Sequence, residues 1–261
     1  MTMFRFLALV LFAGVHSASS PPRIVGGEPT SVENYPSIVQ VDTINPLDNM
    51  WLQGCAGSIL NIRYILSAAH CFEGSSFSPI LRRIRAGASH RNTGGSIIYV
   101  EHAYNHPSYG LRGFDGDISV VKLISAIIYS PVIQRTSILS QGYIIPDNVP
   151  VVYAGWGQIG NGQPPSSVLL DVSVLTVSKE ICRKGYAVLI DSPEVTENMI
   201  CAGLPEIGGR GSCNGDSGGP LYLGNITIGV ISWGGLCGYA AYPGVNTNVA
   251  SYSDWIVATA V

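Results

Sequence analysis

Charge is scarce in this chain. Of 261 residues, 12% are charged and 46% hydrophobic. That balance excludes an intrinsically disordered segment and leaves length for one large domain or two small ones. Lysine is scarcer still, with only Lys122, Lys179 and Lys184 among 14 basic residues. Arginine keeps its charge in alkaline media where lysine begins to lose its proton, so the bias suits an alkaline digestive fluid, although neutral drift explains it nearly as well. No basic run occurs. The net charge of −3 becomes −5 once Arg5 and Arg23, the only charged residues of 1–23, are set aside. Nucleic-acid binding is therefore not expected.

Long apolar runs are also missing. The run from Phe6 to Val15 is too short to span a bilayer. With Arg5 before it and Ser17, Ala18, Ser19 and Ser20 after it, the run reads as a secretory signal over residues 1–18. No later stretch could cross a membrane, so the expectation is an exported, extracellular protein with no membrane partner. No C-x-x-C pair occurs, which argues against a zinc site. The six cysteines, Cys55, Cys71, Cys182, Cys201, Cys213 and Cys237, then read as disulfide formers in an oxidising compartment. Spacing alone leaves all fifteen complete pairings open.

Glycine, by contrast, is abundant, and its densest use is Arg210–Pro220, Arg-Gly-Ser-Cys-Asn-Gly-Asp-Ser-Gly-Gly-Pro. Few side chains there can pack, so the segment serves backbone geometry and close approach to a ligand. At its centre stands one hydroxyl, Ser217, beside one carboxylate, Asp216. A serine is a poor nucleophile without a base and a third group that orients the base. Candidates for both exist: His70 within Ser67–Cys71 and Asp117 within Phe114–Val121. Asp115 is a decoy acid two residues away, but the apolar run opening at Ile118 makes Asp117 the one that enters the interior. His90, His102 and His106 lie in polar stretches and read as solvated.

Ser-Ala-Ala-His-Cys, Asp-Ile-Ser-Val-Val and Gly-Asp-Ser-Gly-Gly-Pro, in that order, resemble the trypsin/chymotrypsin family of serine endopeptidases. The resemblance spans about residues 24–261, and Tyr242–Asn246 is similar in style to insect gut trypsin-like proteases. It implies an all-β fold of two packed six-stranded antiparallel barrels, about 24–135 and about 136–247, and a C-terminal helix at about 249–261. It implies the disulfides Cys55–Cys71, Cys182–Cys201 and Cys213–Cys237. It also implies a zymogen, with residues 19–23 an activation peptide. Cutting after Arg23 frees an amine at Ile24 that pairs with Asp216.

By the same resemblance Ser217 is the nucleophile, His70 the general base and Asp117 the orienting acid, with the N–H groups of Gly215 and Ser217 binding the oxyanion. Ser232, Trp233 and Gly234 pair with the substrate backbone. Gly211, Ser212, Gly234 and Gly244 form the pocket for the side chain before the cut. That pocket departs from trypsin: the floor residue is Gly211 where trypsins carry aspartate, and no acid occurs from Trp233 to Asn246. A neutral pocket predicts cleavage after Phe, Tyr, Leu or Met, with trypsin-like cleavage after Arg or Lys as the alternative. A separate trypsin-like protease would then be needed to cut at Arg23.

No cofactor is expected. Ala88, Ser89, His90 and Arg91 stand where calcium-binding relatives carry acids, so no calcium or other metal is expected there. Expected partners are polypeptide substrates and protein protease inhibitors, with the chain a monomer. The gut lumen is the expected setting. Asn225 heads the single N-x-S/T sequon, a candidate glycosylation site. A non-catalytic binding relative is the competing function, and intact His70, Asp117, Ser217 and Gly215 argue against it.

β-rich runs are read at 37–41, 58–60, 64–67, 80–86, 96–100, 118–123, 149–154, 168–177, 221–223 and 226–233, separated by turn signals. Helices are read near 178–186, with Ser178 as cap, and at the C-terminus, with Asn248 as cap.

Overall fold

The computed structural model describes residues 24–45, 47–74 and 77–261. The secretory stretch and Arg23 lie outside the described residues. The first half of the chain runs through β1 (Glu28–Pro29), β2 (Ile38–Ile44), β3 (Trp51–Ile59), β4 (Tyr64–Ser67), β5 (Arg82–Ala86), β6 (Ser96–Asn105) and β7 (Ser119–Leu123). The strands β2-β3-β4-β7-β6-β5 close into an antiparallel barrel. Val39, Val41, Ile59, Ile65, Ile84 and Val121 fill it, contributed by inward-facing positions of the strands.

The second half runs through β8 (Ser137–Ile138), β9 (Pro150–Gly155), β10 (Leu170–Val177), β11 (Met199–Gly203), β12 (Pro220–Leu223), β13 (Ile226–Trp233) and β14 (Gly244–Asn248). Pairing of β9 with both β10 and β12 closes the ring β9-β10-β11-β14-β13-β12. The chain is thus two closed six-stranded barrels. The short β1 joins this second barrel through β10, and Ile24 is buried in its core.

Helix is rare. Helix α1 (Lys179–Tyr186) begins where Ser178 Oγ accepts from Ile181 N, the cap read in the sequence. At the C-terminus the expected single helix is two pieces. Asn248 caps a 3-10 turn, Val249–Ser251, and α2 (Ser253–Thr259) follows after a break at Tyr252. This end returns to the first barrel: Ile256 joins its core, Asn61 Nδ2 donates to Ala260 O and the Tyr64 hydroxyl to Val261 O.

The disulfides are Cys55–Cys71, Cys182–Cys201 and Cys213–Cys237, with Cα–Cα separations of 6.3, 6.3 and 5.2 Å. The first ties β3 to the turn carrying His70, and the third ties the Ser217 loop to the segment after β13. Among the described residues no helix is long and apolar enough to cross a membrane.

Candidate active site

His70 sits in a 3-10 turn, Ala69–Phe72, at the end of β4. Asp117 stands just before β7 and is fully buried. Its carboxylate is held on three sides: His70 Nδ1 lies 2.7 Å from Oδ2, His70 N donates to Oδ1 at 2.9 Å, and the Ser232 hydroxyl donates to Oδ2. Thr247 Oγ1 donates to the Asp117 carbonyl. The bond at Nδ1 makes that nitrogen the donor and leaves Nε2 as the basic lone pair. Burial pulls the His70 pKa down, but the Asp117 hydrogen bond and charge, with Glu73, outweigh it and leave the imidazole above its ordinary value.

Ser217 comes from the loop before β12. Its carbonyl accepts from Ala56 N at 2.7 Å and lies 3.7 Å from the Cys71 sulfur, the residue after His70. The loop is thereby docked on the first barrel beside the imidazole. Among the described residues Ser217 Oγ makes no hydrogen bond. Cys55 and Cys71 approach His70 closely enough to resemble a metal site, but each is bonded to the other and offers no thiolate.

Gly215 has φ +97°, which favours glycine. The N–H groups of Gly215 and Ser217 find no acceptor among the described residues, although backbone donors in a folded interior are nearly always paired. Asp216, between them, is fully buried and accepts from Gly157 N and Cys213 N at 2.7 and 2.9 Å. Burial drives its pKa up to about 6, against the pull of those two N–H groups.

Beside Ser217 opens a pocket lined by Gly211, Ser212, Ser232, Trp233, Gly234 and Gly244 among others. Among the described residues no carboxylate lines it, and the one charged lining residue is Arg210, which is exposed. A Cβ on Gly211 would meet only Gly238 backbone atoms, at 3.5 Å. Beneath the floor runs the N-terminal stretch, where Val25 O accepts from Gly211 N.

Several residues at the pocket carry no sequence signal. Tyr186 ties its walls, donating to Pro243 O and accepting from Gly235 N, and burial pushes its phenol up to about 12. Tyr153 reaches under Gly244 from β9, and its hydroxyl accepts from Asn246 Nδ2 at 2.8 Å. Phe114 stands between the His70 and Trp233 rings. Periodicity cannot reveal these contacts, because each joins residues far apart in sequence.

Asp115, the decoy acid, enters the interior as well. It is buried and accepts from Thr196 Oγ1 and Asn198 Nδ2, bracing the loop before Asp117. His106, read as solvated, is half-buried against Tyr252 and Trp255, because β6 ends at Asn105 beside the C-terminal segment and the loop that follows starts there. Asn225 is exposed at the β12–β13 turn and is not a lining residue of the pocket.

Two closed antiparallel barrels, with a His–Asp pair on the first facing a serine loop and pocket on the second, are the architecture of the two-barrel serine endopeptidases. The Trypsin family model matches residues 24–256. Similar proteins include Trypsin, alkaline B, of Manduca sexta, 40% identical over 257 residues and 98% of each chain. Trypsin CFT-1 of Choristoneura fumiferana is 39% identical over 258 residues, 97% of this chain and 98% of its own. Trypsin delta of Drosophila erecta is 36% identical over 242 residues, 91% and 88% respectively. The chain belongs to the trypsin family and is a serine endopeptidase.

Proposed function

We propose that this chain is a secreted digestive endopeptidase, made as a zymogen, that cleaves after large apolar or aromatic residues through Ser217, His70 and Asp117. The observation that carries the reading is the buried Asp117 carboxylate bonded to His70 Nδ1 beside the Ser217 loop. Ser217 Oγ attacks the scissile carbonyl carbon while His70 Nε2 takes its proton, then delivers that proton to the leaving amine. Asp117 holds the imidazole in the productive tautomer and stabilises its charged form. The unpaired N–H groups of Gly215 and Ser217 receive the oxyanion. Trp233 and Gly234, where β13 ends, offer backbone to an extended substrate, which requires a polypeptide. Water then repeats the sequence on the acyl-enzyme, with His70 again the base.

The test is labelling by an organophosphorus reagent after tryptic activation, followed by a cleavage profile on a peptide mixture. An unmodified Ser217 sinks the enzyme mechanism. Cleavage after Arg or Lys is the second reading, favoured by similarity to proteins named trypsin.

Activation follows from Asp216. A buried carboxylate with two N–H partners and no cation among the described residues is costly, and the amine freed at Ile24 supplies the cation. Gly26 turns the chain there at φ +68°, where a Cβ would strike Gly209 O. Arg23→Gln is expected to give a folded, nearly inactive protein, and full activity in an uncut chain refutes the mechanism.

The stability of the two forms should separate with pH. In the uncut chain the raised Asp216 pKa means that stability is lost as pH rises through about 6. A shift of about two units is on the order of 3 kcal/mol, roughly 6–12 °C in Tm for a chain of this size. In the cut chain the amine offsets this. A free α-amine titrates near about 8, and pairing raises that value, so its contribution holds below about 8 and is lost above the raised value. The Tm of activated protein should therefore exceed that of Arg23→Gln near pH 7, with the gap narrowing below pH 6 and again at strongly alkaline pH. Calorimetry showing a constant gap from pH 4 to 10 contradicts the pairing.

A further inference from the structure

We infer that Gln53, locked by Arg91, is a positioning residue for the oxyanion-binding loop. The inference rests on the reading of Gly215 and Ser217 as the oxyanion donors. Gln53 lies on β3, two residues before Cys55, and is 1% exposed. A β-bulge explains why a polar side chain points inward there. The β2–β3 register passes from Val41–Cys55 to Asp42–Gln53, so Gly54 is the extra residue. Bulges re-aim side chains next to active sites, and this one turns Gln53 toward the second barrel.

The side-chain amide is then fully engaged. Nε2 donates to Gly215 O at 2.6 Å and to Cys55 O at 3.0 Å, and Oε1 accepts from Arg91 Nε at 2.7 Å. The guanidinium also donates to Gln53 O through Nη2, and Asn92 Oδ1 accepts from Gln53 N. A guanidinium has only donors, so Arg91 fixes which end of the amide faces it. The NH2 end must face Gly215. Arg91 is half-buried; burial lowers its pKa, partly offset by Asp42.

The bond acts on one peptide plane. Gly215 O and Asp216 N belong to the same peptide unit, and Asp216 N donates to Cys213 O at 3.0 Å. Gln53 holds the carbonyl end and Cys213 the N–H end. That unit joins the two free donors, Gly215 N–H before it and Ser217 N–H after it. Gly215 has no Cβ to resist rotation of the plane, so an external contact must select one orientation. Gln53 is that contact, and it comes from the opposite barrel. Neither Gln53 nor Arg91 touches substrate; they act by keeping two N–H groups convergent on a developing charge.

The experiment compares activated wild type with Gln53→Leu, Gln53→His and Arg91→Met. Losing a whole oxyanion donor costs about 100- to 1000-fold in rate. Misaligning one should cost about 10- to 100-fold in kcat, with KM within about twofold. Gln53→Leu is expected to fall in that range, and Gln53→His, which restores an N–H donor, to recover most of the rate. Arg91→Met leaves Gln53 present but free to turn, and should lose about three- to tenfold. Affinity for a peptidyl boronic acid, which becomes tetrahedral on Ser217, should fall with kcat, while affinity for a product peptide should not. Wild-type turnover and Ser217 labelling, measured first, test the catalytic reading alone. A wild type that turns over while folded Gln53→Leu and Arg91→Met match its kcat overturns the positioning role. So does a loss shared equally by boronic acid and product peptide.

Discussion

Asp117→Asn is expected to lower kcat/KM by about 10⁴-fold, the size this change has in the trypsin family. The cause lies in the three bonds that converge on the carboxylate. Two carboxylate oxygens accept from His70 Nδ1, His70 N and Ser232. An amide has one acceptor oxygen and an NH2 group, so it cannot satisfy all three. If its NH2 faces Nδ1, that nitrogen must accept, the proton moves to Nε2, and His70 can no longer take the Ser217 proton. The pH profile should move as well. Asp117 is what raises the His70 pKa against burial, and activity requires neutral His70. Any residual activity should therefore appear at lower pH than in wild type. A loss under tenfold, or an acid limb that stays in place while Tm is unchanged, would assign the imidazole's orientation to another group.

The second large effect concerns the pocket. Wild type should cleave after Phe or Tyr at least about 100-fold better than after Arg in matched peptides. A buried guanidinium without a counter-ion costs several kcal/mol, and each 1.4 kcal/mol is about tenfold. Apolar side chains instead gain roughly 25 cal/mol per Å² buried. Arg210, at the same pocket, adds repulsion for a cationic side chain. Gly211→Asp should invert the preference, because a Cβ there has ordinary contact distances. Pairing with Arg210 should temper that gain, so adding Arg210→Ser should increase it. Ratios of kcat/KM for the two peptides measure the effect, and a wild type that prefers Arg would mean that another acid reaches the site.

His70, Asp117 and Ser217 were legible because each sits in a short, ordered motif. Backbone-driven features were legible too: β4 and β13 fall where their β-branched and aromatic residues put them, and Ser178 caps α1. The missed strands fail for a physical reason. In β14, Asn246 and Thr247 are buried polar residues whose side chains donate to Tyr153, Ile200 and Asp117, so no apolar alternation marks the strand. β11, Met-Ile-Cys-Ala-Gly, carries a single β-branched residue, so its composition does not mark it as a strand. β3 was read only at 58–60 because Gln53 and the Gly54 bulge interrupt its period. Tyr186, Tyr153 and Gln53 act across separations that no local pattern encodes.

The hydroxyls that hold Asp117 belong to the second barrel, whereas Asp117 and His70 belong to the first. In the proposed mechanism the seam between the barrels is thus a gauge of catalytic competence. Any sliding that parts Ser232 and Thr247 from Asp117 disarms the imidazole before either barrel's core has opened. Turnover should therefore decline ahead of, or together with, the loss of β-structure in denaturant, and never after it.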